Sequence, residues 1–598
     1  MKANRNTHII CTMGPSTESV EMIRSLIRKG MNMARFNFSH GSYDYQGPQI
    51  ARVREAAAAE GFPIALILDT KGPEIRTGRI RNDALVDLVP GETLEVISEA
   101  DAVARYGEEG AFTQKGRITM SYQALADDIR AGARILIADG IFALEVLALE
   151  GRIIRCRVDA GGELGSRKNV NILGVHTRLP AMSEQDMADL KFGHEQGMDY
   201  VAASFIRKAQ DITTMQKYLA AIGSDMQVIA KIEDDEGLAN IEEIIRVSAG
   251  VMVARGDLGV QIPPERVPLE QKRIISLCNS EGTPVITATQ MLDSMIRSPR
   301  PTRAEAGDVA NAILDGADCV MLSGETANGA YPELAVEMMD RIARTVEGSD
   351  EYRENIHKRR LTLPDEQDLG QVIAGAAVRT ADTIGASCIV IPTLSGHTAQ
   401  LVSKYRPQRC IVAATPSEKV RRRLLLYWGV VPVEVQKEED SEAMIQGAIG
   451  AAIREGFAAP ADKVVLVAGL PVNSPITTNS IRVHVIGNIL GRGSRGFGGR
   501  CTGRVIKAKN LDEASRWLRN MGGEILLTHT LDESFTPIIR IVNGIILEGA
   551  SELSREYLRN INPNIVYVAH VPDAMELFEE NRTVTLDGAE KMIYEGTL

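Results

Sequence analysis

Over the first half of the chain, apolar residues gather into eight short, nearly continuous runs. These are THIICTMG, MNMARFNFSHG, PIALILDTKG, DYVAASFIR, QVIAKIED, GVMVARGDLG, TPVITATQ and DCVMLSGET. Strands of a parallel sheet are buried on both faces, so they read as unbroken Val, Ile, Leu, Ala and Met rather than as alternation. Segments of helical length lie between most of the runs, with apolar residues three and four apart, as in SVEMIRSLIRKG and EQDMADLKFGHEQG. Eight strand–helix repeats predict a (β/α)8 barrel over residues 1–72 and 169–348. The pattern breaks at residues 73–168, where ETLEVI, ARILIADG, ALEVLALE and RIIRCRV are separated by Gly, Asp and Glu turns. This predicts a small β domain, a β-barrel lid, inserted after the third strand. Such an insertion stands over the C-terminal face of the barrel, where barrel active sites form, and can act as a lid.

After Gly348, EYRENIHKRRLTLPDEQD reads as a helix end and charged linker. Strand and helix then alternate over residues 349–475, too few times for a second barrel, which predicts an open α/β domain. Gly491 to Gly499, with Arg492, Arg495 and Arg500 in and beside it, reads as a flexible linker bearing solubilising charge, with phosphate binding as the alternative. Residues 485–598 predict one more small domain of mixed strand and helix. The fold class is α/β throughout.

A net charge of −12 argues against general nucleic-acid binding. The seven cysteines are scattered and form no CxxC pair, which fits reduced core thiols. The start, MKANRNTHII, has no apolar leader core, and no apolar run is long enough to cross a membrane. A cytoplasmic enzyme is the expectation.

The strand ends carry the chemistry. Glu233 and Asp257 end the fifth and sixth strands, and neighbouring strands lie about 4.8 Å apart. Two carboxylates there can share one ion, and with water and substrate oxygens they suit Mg²⁺ or Mn²⁺. The plain alternative is a pair of turn carboxylates neutralised by Arg255. Lys231 lies two residues before Glu233 and so shares its side of the strand. A lysine facing a barrel interior needs anionic partners, and as a point charge it suits a phosphoryl group in transfer. Arg35 and Arg76, at or after strands two and three, have the fork that fits phosphate or carboxylate. Asn37, Ser39, Asp69 and Thr70 are hard oxygen donors from the same two strands, able to hold a monovalent cation or to form a hydrogen-bonded network. Thr289 offers a hydroxyl at strand seven, and Gly256 leaves room for a small ligand near backbone amides. In the later domain, Thr393, Ser395, Gly396, His397 and Thr398 follow a strand and open a helix, a phosphate cradle or a simple capping loop.

MNMARFNFSHG, LILDTKGPEIRTG, IAKIEDDEG, VMVARGDLGV, VITATQMLDSMIRSPRPTRAE and DCVMLSGETANG, in that order, resemble the motifs of the pyruvate kinase family. The resemblance runs from about residue 5 to about 475. It implies a phosphotransferase that moves the phosphoryl group of phosphoenolpyruvate to ADP, giving pyruvate and ATP. It implies that Glu233 and Asp257 bind the divalent metal, that Lys231 stabilises the phosphoryl in flight, that Arg35 matches a phosphate-binding arginine, and that Arg76 matches the arginine of the third-strand motif, both counted as catalytic. It implies a K⁺ site at Asn37, Ser39, Asp69 and Thr70, with Glu74 at the position that marks potassium-dependent members. Thr289 matches the threonine beside the methyl-forming carbon. TLSGHTAQLVSKYRP resembles the family's effector loop, which takes a phosphorylated metabolite. A homotetramer is the family's usual state.

The last domain departs from the common plan. CTGRVIKA, GGEILLTHTLDESFTPIIRIVNGIILEGAS and TVTLDGAEKMIYEG resemble the swivelling phosphohistidine domain of phosphoenolpyruvate synthase and pyruvate phosphate dikinase. The carrier histidine has no counterpart in EGASELSREYLRN, and none occurs between His529 and His570. A structural or regulatory appendage is the expectation. Two rival functions remain at this level. One is a Schiff-base aldolase or lyase using Lys231. The other is a non-catalytic regulator that binds phosphoenolpyruvate.

Overall fold

The computed structural model describes residues 5–362, 368–459, 462–470, 478–486, 489–517 and 524–596. Parts of the sequence reading lie outside them: residues 471–475 at the end of the α/β domain, and Gly522 and Gly523 of the GGEILL stretch. The chain divides into two compact units. One is Met1–Arg379, Val390–Ala451 and Val467–Ser480; the other is Thr380–Ile389, Ala452–Leu466 and Ile481–Leu598.

In the first unit, the eight apolar runs form β1 (His8–Thr12), β2 (Met31–Asn37), β3 (Ala65–Asp69), β4 (Tyr200–Ala203), β5 (Gln227–Ile232), β6 (Gly250–Ala254), β7 (Val285–Ala288) and β8 (Cys319–Leu322). They close into a parallel barrel in chain order, β8 pairing with β1. Nearly every strand residue is buried. The helices between them follow local rules. Val20–Lys29 starts where the Ser19 hydroxyl accepts the Met22 N–H, buries Ile23, Leu26 and Ile27, and stops at Gly30, whose φ of 117° is left-handed. Leu26→Ala there would cost about 2–5 kcal/mol.

The inserted β domain is built on a seven-stranded sheet. Its sheet takes in Asn169–Leu173, which pairs with Arg134–Ile137 and with Ile75–Arg76. The sheet thus runs past residue 168, where the sequence pattern ended it; NVNIL does alternate, with Val170 and Ile172 buried, but five residues are too short a run to read as a strand without its partners. In EYRENIHKRRLTLPDEQD, read as a helix end and charged linker, the helix extends through Thr362, and residues 363–367 lie outside the described residues. Asp350–Thr362 is a helix, because Tyr352 and Ile356, one turn apart, are buried against the barrel helices, while Arg359 and Arg360 donate to the carbonyls of Leu314 and Tyr405.

Beyond it, Cys388–Pro392, Cys410–Thr415, Val430–Glu434, Lys463–Ala468 and Ser480–Val485 alternate with helices. Cys410–Thr415 and Val430–Glu434 pair in parallel. The final domain carries an eight-stranded sheet with a separate apolar cluster on each side. Its glycine-rich stretch is not a linker. Ile489–Arg492 pairs with Met592–Glu595, and Arg495–Phe497 with Tyr567–Ala569. A Cβ at Gly493 would lie 2.5 Å from the Ala569 carbonyl oxygen, and one at Gly496 2.5 Å from that of Gly588. These glycines serve close backbone approach, not flexibility. All seven cysteines are free. No helix among the described residues is long and apolar enough to cross a membrane.

Candidate active site

Lys231 stands near the end of β5 with its ammonium at the centre of the site. It donates to Asp69 Oδ1 at 3.0 Å and to Ser204 Oγ at 2.6 Å, and lies 3.0 Å from Glu233 Oε1. Arg35, at the end of β2, donates from Nε to Asp69 Oδ2 at 2.6 Å and from its terminal nitrogen to Thr12 Oγ1 at 3.0 Å. Side chains from β2 and β5 therefore meet on one carboxylate at the end of β3, Asp69, which is 1% exposed. Burial alone would push Asp69 up, but Arg35 and Lys231 outweigh it and hold the carboxyl below its usual range. Burial would likewise strip Lys231 of its proton, and Asp69 and Glu233 reverse that, so its ammonium titrates above the usual lysine range. An amine held this firmly in the charged form is unfit for Schiff-base formation at neutral pH.

Glu233 accepts the Phe205 N–H at 2.6 Å. Burial pushes its carboxyl up to about 7, with Lys231 opposing and Asp257 adding like-charge repulsion. Asp257, in the first turn of Arg255–Gln261, is pushed up by burial in the same way. Arg255 does not neutralise this pair. It binds Asp308 at 2.6 Å and the Thr289 carbonyl at 2.6 Å. Two carboxylates, Glu233 buried and Asp257 partly buried, are short of positive charge and fit a divalent cation. Among the described residues no group of three or more His, Cys, Asp or Glu side chains gathers as a metal centre. An ion on this pair would therefore draw its other ligands from water and substrate, the habit of Mg²⁺.

Asn37 and Asp69 are register partners on β2 and β3. The Asn37 side-chain oxygen accepts the Ser39 N–H at 3.0 Å, and the Thr70 carbonyl accepts the Ser204 hydroxyl at 2.6 Å. Arg76 is not in the cluster. It binds Glu74 at 2.7 Å and the Arg167 carbonyl at 2.8 Å, while Lys71 reaches the same Glu74 oxygen at 2.9 Å. Thr289 accepts the Gly256 N–H at 2.8 Å, and both Thr289 and Gln290 hold left-handed backbone, φ 68° and 54°. Such conformations cost about 1–3 kcal/mol and concentrate at functional sites.

The sequence reading assigned no role to Ser204, at the end of the DYVAASFIR run. Its hydroxyl links Lys231 to the chain leaving β3. A second cleft, floored by Arg35 and Asn37 and walled by Pro15, His40, Tyr45 and Ala327, was also missed; its residues lie on three separated segments with no shared motif. In the later domain, Gly396 (φ 87°) opens the helix His397–Lys404. Thr393 Oγ1 accepts the Gly396 N–H at 2.9 Å, Thr398 meets the Thr478 hydroxyl at 2.8 Å, and Ser395 and His397 are exposed.

Known proteins carry the same architecture. The model of the pyruvate kinase barrel domain matches residues 4–336, and that of the pyruvate kinase alpha/beta domain matches 371–484. A pyruvate kinase of Geobacillus stearothermophilus is 43% identical over 597 residues, 99% of each chain, and one of Sporosarcina psychrophila is 41% identical over the same span. The final domain is thus shared with these relatives. A solved pyruvate kinase structure from Cryptosporidium parvum aligns with a TM-score of 0.76 at 38% identity, covering 81% of this chain and 96% of its own. A closed barrel with a buried lysine–carboxylate cluster at its strand ends, matched along its whole length by such enzymes, means that the chain belongs to the pyruvate kinase family.

Proposed function

We propose that this chain transfers the phosphoryl group of phosphoenolpyruvate to ADP through the Lys231 cluster, with each strand-end residue in a distinct role. The carrying observation is the charge imbalance: Asp69, Glu233 and Asp257 converge on Lys231 and Arg35. Phosphoryl transfer asks mainly for positioning and neutralisation of charge. Lys231 keeps its proton throughout and presents it to the phosphoryl oxygens in transit. Asp69 and Ser204 fix the ammonium, and Arg35 binds phosphate oxygens from the opposite side. Gly256 and Asp257 border the substrate, and Thr289 donates to its carboxylate or relays a proton. ADP lies in the cleft of Pro15, His40 and Tyr45, whose floor reaches the same Arg35. When the phosphoryl has left, the enolate takes a proton at its methylene carbon, and the keto form of pyruvate makes the transfer downhill.

Glu233 and Asp257 would hold Mg²⁺ or Mn²⁺, and Asn37, Ser39, Asp69 and Thr70 would hold K⁺. When bound, these cations supply positive charge to the phosphate and enolate oxygens. Arg76 acts indirectly, by holding Glu74. The Thr393, Ser395, Gly396, His397 and Thr398 loop takes the phosphate of an effector metabolite, with Ser395 and His397 exposed at its rim. We read the protein as a cytoplasmic homotetramer, and its final domain as a structural or regulatory appendage.

The test is pyruvate release from phosphoenolpyruvate and ADP, with Mg²⁺ and K⁺ each present or omitted. Turnover that needs both supports both cation sites. Turnover indifferent to K⁺ removes the potassium assignment alone. No turnover under any ion condition, with sugar phosphates or nucleotides added, leaves the phosphoenolpyruvate-binding regulator.

A further inference from the structure

The turn that leaves β4 is unusually connected. Ser204 donates to the Thr70 carbonyl at 2.6 Å and accepts from Lys231 at 2.6 Å. Phe205, with a left-handed φ of 57°, gives its N–H to Glu233 at 2.6 Å. Arg207, 5% exposed, reaches away from the catalytic cluster. It donates to the carbonyls of Thr177 at 3.0 Å and Leu179 at 2.8 Å, with Pro180 at 3.4 Å. Those carbonyls belong to the chain returning from the inserted β domain to the barrel, between Asn169–Leu173 and Glu184–Glu195.

The outgoing chain meets the same turn. Gly72 packs on Ser204 so closely that a Cβ would fall 2.8 Å from the Ser204 Cβ, and its φ of 73° is left-handed. Both connections of the inserted domain thus converge on residues 204–207, and the same residues hold Lys231 and Glu233. Arg207 itself is held by Asp211, whose Oδ2 lies 3.4 Å from Nε and accepts the Arg207 N–H at 3.2 Å. The Arg207 carbonyl accepts from Asn240 at 2.9 Å. A guanidinium this buried and aimed at three carbonyls is a rigid fork that ammonium cannot copy in full.

We propose that Arg207 is a positioning residue for phosphoryl transfer. It clamps the returning connection of the inserted domain against the β4 turn, and through Ser204 and the Phe205 N–H it keeps Lys231 and Glu233 in working geometry. The assignment rests on the pyruvate kinase reading. It has two consequences in one residue: losing the clamp misplaces the ammonium, and it frees the inserted domain that shields the phosphoryl group from water.

The experiment compares the full chain with Arg207→Gln and Arg207→Lys, all three with Mg²⁺ and K⁺. Readouts are kcat and KM for phosphoenolpyruvate, the ratio of pyruvate to ATP with inorganic phosphate measured alongside, and hydrogen exchange of the amides at 174–182. For R207Q we expect a kcat loss on the order of 10²-fold with a smaller change in KM. We also expect pyruvate in excess of ATP and faster exchange at 174–182. In that leak, water oxygen bonds to phosphorus, the bond from phosphorus to the enol oxygen breaks, and inorganic phosphate accounts for the excess. R207K should recover part of each loss. Faster exchange with kcat and the pyruvate to ATP ratio unchanged would overturn the proposal, reducing Arg207 to a tether. A kcat loss equal in both variants with exchange unchanged would overturn it as well. If R207Q does not fold, R207K decides on the same readouts. A wild-type chain that releases no pyruvate counts against the enzyme reading itself, not against this clamp.

Discussion

Two clusters of buried charge sit at opposite ends of the same barrel strands, and only one is balanced. At the N-terminal ends, Asp318 receives Arg406 at 2.9 Å, the Val285 N–H at 2.9 Å and the Trp428 N–H at 3.3 Å, and the Arg406 guanidinium lies 5.1 Å from the Trp428 ring centre. Nearby, Glu347 accepts the N–H groups of Asn6 and Thr7, each at 2.7 Å. Burial pushes Asp318 up, yet each of its oxygens has an internal partner. At the C-terminal ends, burial and the neighbouring Asp257 push Glu233 up, burial with the charges of Asp139 and Asp69 pushes Asp257 up, and Lys231 is shared among three carboxylates. A cluster whose partners are all internal holds structure together. A cluster short of positive charge is built to take up a cation and an anionic substrate. The position of each on the barrel agrees with that division.

The contrast breaks most directly at Lys231. Lys231→Met should lower kcat on the order of 10³-fold or more, measured as pyruvate release, while the circular dichroism of the Mg²⁺-loaded chain stays native. A variant keeping a tenth of wild-type turnover would refute the upper cluster's role. Arg406→Met should do the reverse. It strands Asp318 without its cation, at a cost of about 3–5 kcal/mol seen in the denaturation midpoint, while turnover of the folded fraction holds within a few-fold.

Glu233→Gln sharpens the comparison. It should raise the Mg²⁺ concentration for half-activity by about 10–100-fold, read from a titration of turnover. It should also flatten a pH dependence. In the metal-free chain Glu233 holds its proton up to about pH 7 against a usual value of 4.5, so folding favours the protonated form. Its contribution to stability is present at low pH and is lost as pH rises from about 4.5 through 7. The thermal midpoint of metal-free wild type should therefore fall across that window, less so in E233Q, and Mg²⁺ should restore it. Gly493→Ala is the smallest and most local change. It should destabilise the final domain by about 0.5–3 kcal/mol, visible as earlier proteolysis there, with kcat unchanged.

The barrel was legible because strands buried on both faces leave no ambiguity of pattern. Lys231 and Glu233 were legible as a pair because alternation along a strand puts i and i+2 on one side. Their partners were less so. Nothing in ASFIR says that Ser204 will meet a lysine 27 residues on, or that Arg207 will reach back to Leu179. Arg76 shares a motif with Asp69 yet turns to Glu74, because it already stands on the inserted sheet beside Asn169. The stretch 491–499 looks like a linker by composition and proves to hold parts of two sheet strands, with Gly493 and Gly496 set against carbonyl groups more than seventy residues away.

By itself, then, the chain's own pattern determined the element types of the barrel, its eightfold repeat, the place of the insertion and the residues that end each barrel strand. Those follow from local periodicity and from which side chains water excludes. Tertiary structure alone decided which charges meet. Ionic partners come from different strands, and their distances depend on barrel closure. Low-dielectric burial then turns small differences in partner number into large differences in charge state. That is why Asp69 is held down while Glu233 is pushed up, although both are carboxylates at the ends of apolar runs.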